Sequence, residues 1–435
     1  MQYADLILKS KAVFTGLTNR PLPGGVAIKG NQIIAVGSDS EIDPLIGTHT
    51  VVYQYEDHLI MPGFIDAHVH FFMGALAASD HMNTEISKST SEEECINMMV
   101  EYANSHPNEP RICGMGWFPA NWNDAPLPTK KSLDRVFPDK PVYLICADAH
   151  TAWLNSKAIE ECGITGNTSV DCGEICTDET GEPTGILKEM ASFIAFGKAM
   201  SLPKEAITKM LKDFSMEAAK AGVTSVSDMS AYALTEETMN LYLAGKELEK
   251  KNDLTVRLHL YPALGTKPDY GPLLRFKKEF DTEKVRISGL KQFIDGVTST
   301  YTGFLLEPYE DNKSISGLPH YPKHIYEKCV IEANRAGLGV RFHCIADGSV
   351  RMALDVFEAA NRALNNEGDR RQIKNSIEHC ENVHPDDIPR FAGLGVIASM
   401  QPYHLTLDHN EKIGRLGLER CRYEWPHRSL LDAGA

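Results

Sequence analysis

The sequence predicts an α/β protein: a parallel, barrel-type sheet flanked by helices, a small N-terminal β-module, and a long insertion behind the first barrel strand. Three observations carry this. From about residue 203 onward, helical segments alternate with apolar strand-like runs, and each helix closes on a glycine. The apolar run from Leu59 to Ile65 leads into two histidines, His68 and His70, separated by one residue. Two much later runs also finish in histidine, at His343 and His379. A length of 435 residues is too great for one compact core and suits a large barrel with accessory modules.

Residues 1–57 read as short strands around 4–8, 25–28, 32–36 and 49–53, parted by the turn dipeptides Gly24-Gly25 and Gly30-Asn31. The barrel begins at 58–74 with the apolar run Leu59–Ile65. Residues 75–202 are irregular, rich in Pro, Gly, Asn and Asp among short helical and strand pieces. An insertion placed there sits over the C-terminal mouth of the strands, where barrel active sites lie, and reads as a lid and specificity wall. From 203 to 435 the rhythm is regular. The handovers Ala221-Gly222, Ala336-Gly337 and Gly393-Leu394-Gly395 each release a helix into an apolar strand. Glycine past a helix end takes the left-handed cap, and repetition of the unit means parallel βα packing. Counting from the histidine strand, the second ends near Asp228, the third covers 255–260 and the fourth 287–293. The fifth runs from Val340 to His343, the sixth from Ser376 to His379, and the seventh from Val396 to about Gln401. An eighth is expected beyond Ala435.

The formal net charge of −15 argues against nucleic acid and anionic membrane as partners. There is no basic-then-apolar leader and no apolar run long enough to span a bilayer, so a cytoplasmic location is the default expectation. The expected partner is a small-molecule substrate, with a homodimer allowed. Ten scattered cysteines, several inside apolar patterns (Cys146, Cys329, Cys344, Cys380), read as reduced thiols. Cys162, Cys172 and Cys176 lie close together but lack the spacing of a zinc site.

Side chains at i and i+2 of a strand share a face, so His68 and His70 present two imidazoles to one point. Neutral imidazole ligates Zn and similar divalent ions. Singly, each of the four histidines fits a core position; at three separate strand ends together they point to a metal site. Lys291 lies within an apolar strand, where burial disfavours its charge. A neutral lysine can take up carbon dioxide as a carbamate and bridge two metals. The competing reading is an ion pair at the mouth, for instance with Asp295. Glu189 is a rival acidic ligand, or a carboxylate at a helix start.

The run Met61-Pro62-Gly63-Phe64-Ile65-Asp66-Ala67-His68-Val69-His70 resembles the signature of the metal-dependent amidohydrolase superfamily. Asp148–Ser156, Glu182–Leu187, Ile377–Cys380 with His384–Asp387, and Ala398–Pro402 are similar to its amidohydrolase-3 branch, which includes N-substituted formamide deformylases. The likeness runs from about residue 4 to 435. It implies a (β/α)8 TIM-type barrel beside a small β-sandwich, and one or two divalent ions, usually Zn, held by His68, His70, His343, His379 and a strand-four ligand matching Lys291. It places His150 on a branch motif, facing the substrate or holding structure; Glu189 and Asp295 are further candidate substrate-binding residues. Trp117, Trp122 and Trp153 are candidate pocket walls or core aromatics. The superfamily takes its catalytic aspartate from strand eight, so no catalytic residue is assignable and a longer parent protein is expected. The implied activity is hydrolysis of C–N bonds in amides such as N-formyl or N-acyl amines by a metal-activated water. Two alternatives stay open: opening of a cyclic amide or deamination at the same site, and an inactive binding or regulatory protein on a hydrolase scaffold.

Overall fold

Alternating apolar residues in the first sixty positions do build strands: β1 (Leu6–Val13), β2 (Leu22–Lys29), β3 (Gln32–Gly37), β4 (Val51–Gln54) and β5 (Leu59–Ile60). In this computed structural model, which describes residues 2–122, 126–170, 173–367, 373–406 and 409–435, they belong to a first compact unit, Met1–Ile65. The strand order is β3-β2-β1-β4, with β5 also on β1. Gly30, at φ +58°, gives the left-handed turn that lets Lys29 pair with Gln32. Ile7, Ala27 and Ile42 are its buried centre. The described residues of this unit form one sheet of the sandwich that the resemblance implies. Pairing of β5 with β1 also carries the module past residue 57.

The second unit, Asp66–Ala435, begins within β6 (Phe64–Val69), which bears His68. The insertion that follows is more ordered than its composition suggests. It holds β7 (Ile112–Trp117), β8 (Val142–Cys146), β9 (Thr151–Leu154), β10 (Gly173–Thr177) and β11 (Pro183–Glu189), in the order β10-β11-β9-β8-β7. Side chains alternate across this sheet. Val142, Leu144, Cys146 and Trp153 enter one core with Trp117 and Trp122, whereas Tyr143, Ile145, Ala152 and Leu154 enter the main core of the unit. Burial on both faces explains the unbroken apolar run Val142–Cys146.

Past the helix Lys204–Lys220, the chain turns at Gly222 (φ +82°) into β12 (Val223–Asp228). β13 (Arg257–Leu260), β14 (Val285–Ile287) and β15 (Gly289–Phe293) follow, so the expected fourth strand is two pieces parted at Ser288. A Cβ on Gly289 would stand 2.6 Å from the Gly339 carbonyl oxygen, which is why glycine occupies that break. Then come β16 (Gly339–Cys344), β17 (Ser376–His379) and β18 (Ile397–Ser399). The two runs are β14-β13-β12-β6 and β15-β16-β17-β18, with parallel ladders from β12 onward. The glycine caps at Gly222, Gly337 and Gly395 all have positive φ, as the sequence pattern requires.

These strands do not lie flat. β6 and β17 are five steps apart, about 24 Å in a flat sheet at ~4.8 Å per step. Yet Glu378 Oε2 on β17 lies 2.7 Å from His68 Nδ1 on β6. The array is curled, bringing β17 back against β6. No helix among the described residues is long and apolar enough to cross a membrane.

Candidate functional site

The five residues expected to hold metal meet at one place. His68 and His70 have ring centroids 5.7 Å apart, His68 and His379 4.7 Å, and His379 and His343 4.5 Å. Lys291 Nζ is 5.2 Å from the ring centre of Phe293, whose own ring is 4.9 Å from that of His343. Local geometry aims these groups. His70 caps the helix Phe71–Ala77, whose first amide, Phe71 N, donates to Asp228 at the end of β12 (2.8 Å). His379 leaves β17 at φ +74° and Cys380 follows at +49°. Two consecutive left-handed non-glycine residues are costly, and such strain gathers at functional sites.

Electrostatics keep the imidazoles neutral. Burial pushes His70 down to about 3 and holds His343 and His379 well below the ordinary histidine range, with Lys291 adding to the effect. Burial likewise lowers His68, against the pull of Glu378. Burial alone would raise Glu378; the hydrogen bond from His68 and the charges of Lys291 and Arg341 override it and bring the carboxyl down to about 2. The pair is therefore an ionised carboxylate accepting from a neutral imidazole, which leaves His68 Nε2 with its lone pair. Glu378 Oε1 also accepts from Ser376 Oγ at 2.7 Å and faces Arg341 Nη1 at 3.4 Å. Burial lowers Lys291 to about 8.

The residues fit a divalent ion by chemistry. Four neutral imidazoles converge, and His379 Nδ1 and Lys291 Nζ are buried without a hydrogen-bond partner. Among the described residues no group of three or more His, Cys, Asp or Glu side chains stands in the geometry to hold a metal ion. Lys291 does not pair with Asp295: both Asp295 oxygens accept backbone amides, from Ile345 (3.0 Å), Ala346 (3.1 Å) and Phe304 (3.0 Å). Asp295 is fully buried and braces loops, which corrects its placement against substrate.

The insertion contributes a second pair. His150 Nδ1 lies 2.8 Å from Glu189 Oε2, and the His150 ring is 6.1 Å from that of His343. Burial alone would lower His150, but Glu189 outweighs it and raises the imidazole; burial would raise Glu189, and His150 lowers it. Glu189 (φ +49°) and Ala149 (φ +57°) are both left-handed. Of the two readings of Trp117 the core one fits: it is fully buried in the insertion core, its Nε1 donates to the Leu144 carbonyl at 3.1 Å, and its ring stacks 5.6 Å from Trp122. Trp153 packs edge-on against both. Cys162 and Cys176 are free thiols; Cys172 lies outside the described residues.

Sequence reasoning missed Glu378, which stood within a quoted motif with no role given to it, and His404, whose ring stacks on His379 at 5.4 Å. The signal for Glu378 was its place beside His379 in an apolar strand; nothing local marked His404.

A family model described as the amidohydrolase family matches residues 56–435. The chain belongs to the amidohydrolase family. Among relatives of this amidohydrolase chain are the protein LONG AFTER FAR-RED 3 of Arabidopsis thaliana, 29% identical over 99% of this chain and 74% of that one. The amidohydrolase YtcJ of Bacillus subtilis, whose assignment as such is provisional, is 24% identical over 97% and 77%. The N-substituted formamide deformylase of Arthrobacter pascens is 23% identical over 100% and 79%. Among solved structures, uncharacterized metal-dependent hydrolases from Pyrococcus horikoshii and Pyrococcus furiosus superpose with TM-scores of 0.75 and 0.73. They are 24% and 25% identical, covering 98% of this chain and 80% and 83% of theirs. That likeness shows a shared fold.

Proposed function

We propose that this amidohydrolase is a metal-dependent hydrolase of C–N bonds in small amide-type molecules, N-formyl or N-acyl amines among them. The observation that carries the reading is the meeting of His68, His70, His343 and His379, from three strands, around the buried Lys291. These four imidazoles would hold a divalent ion, Zn being suited to the donor set, and Lys291 as its carbamate would bridge a second. When bound, such an ion polarises a carbonyl and activates water. The chain's own groups do the rest. Glu378 fixes the tautomer and direction of His68. The His150–Glu189 pair, brought by the insertion, offers a hydrogen-bonding wall to the substrate. The curled sheet, proposed here to be a TIM-type barrel, keeps the imidazoles rigid and dry. The A. pascens relative, named for formamide deformylation, supports the amide class.

The test is alanine at His68 and, separately, at His343. Metal per chain by mass spectrometry and turnover of N-formyl amines should vanish together in both. Full metal content in both variants would overturn the ligand assignment.

A further inference from the structure

A further imidazole reaches this mouth with a buried support behind it. His404, in the turn Pro402–Thr406 beyond β18, stacks on His379 with the planes 20° apart. Its Nδ1 is 3.1 Å from Glu381 Oε1. The other oxygen of Glu381 accepts from Lys412 Nζ, whose ammonium lies 5.6 Å from the centre of the Trp425 ring and 3.9 Å from Glu424. Trp425 in turn meets the edge of His404 at 5.8 Å. Glu381, Lys412 and Glu424 are all buried, whereas the His404 side chain is 37% exposed. Burying an ion is costly unless it is paired. Here that cost supports one half-open ring. A carboxylate on Nδ1 makes that nitrogen the donor and leaves Nε2 as an acceptor.

We propose that His404, oriented by Glu381 and Lys412, is a specificity-determining residue. Its Nε2 accepts the N–H of the scissile amide, so that the site selects N-monosubstituted amides over N,N-disubstituted ones. The inference rests on the amide-hydrolase reading above and deepens it. An N,N-disubstituted amide has no hydrogen to give, and it leaves a positioned acceptor unpaired, which is penalised in a desolvated site.

Two measurements test it. The first is imidazole nitrogen NMR on histidine-labelled protein, with the His404 signal assigned by its loss in His404→Gln. It should report the Nδ1–H tautomer, shifted in Glu381→Gln; an Nε2–H tautomer overturns the proposal. The second compares N-butylformamide with N-butyl-N-methylformamide. The kcat/KM ratio should favour the former and fall by about tenfold in His404→Ala, with part retained in His404→Gln, whose amide oxygen can accept. Metal per chain should be unchanged. Equal losses on both amides, or loss of metal, overturn the proposal. Should the wild type turn over neither amide, it is the hydrolase reading that fails. Binding by ligand-observed NMR then decides the inference: N-butylformamide must compete more weakly on His404→Ala than on wild type, and equal competition overturns it.

Discussion

Glu378→Gln keeps the size and one acceptor of the native side chain but removes the charge that faces His68 Nδ1 at 2.7 Å. The neutral amide can present its NH2 to that nitrogen, which turns the imidazole toward the opposite tautomer and takes the lone pair from Nε2. Partners of this kind behind a ligating histidine are typically worth 10–100-fold in metal affinity, and a loss of about that size is expected here, read by chelator competition. Circular dichroism should match the wild type, because Ser376 Oγ still has an acceptor. Undiminished affinity would mean that Glu378 serves only to neutralise Arg341 and Lys291. Alanine is a poorer probe, since it also removes the acceptor that Ser376 Oγ uses.

Elements differ in how much of their role is written locally. The strand-end histidines were legible because a strand's two-residue period fixes which side chains share a face, and because glycine caps mark where each strand begins. The insertion was not, since β8 pairs with β7 and β9, and β11 with β9 and β10, across loops whose lengths carry no register. Trp117 was ambiguous for the same reason: an aromatic in a short strand looks alike whether it faces a pocket or a core. Asp295 beyond β15 could not be told from a mouth carboxylate until its amide donors were visible. His404 escaped because its partner, Glu381, lies on another turn. The core role of Trp117 is testable at this scale. Trp117→Ala opens a cavity beside Trp122 and Trp153 and should cost about 3–5 kcal/mol in urea unfolding. A drop in kcat/KM with stability intact would return Trp117 to the pocket wall.

For the whole molecule, the histidine cluster joins β6 to β16 and β17, segments separated by 310 positions in the His68–Glu378 contact. The unfolded chain cannot assemble such a donor set, so an ion held there binds the native state almost alone. Linkage then makes metal a stabiliser: about 4 kcal/mol at a thousandfold excess over Kd. For an unfolding unit of this size that corresponds to a rise in Tm of roughly 5 °C. Calorimetry at one fixed scan rate, before and after chelation and reloading, should show that rise in the wild type. It should be absent in His68→Ala and in His379→Ala, which remove donors from β6 and β17, yet present in Trp117→Phe, which disturbs only the insertion core. If either histidine variant gained as much from reloading as the wild type, the stabilising ion would be seated elsewhere.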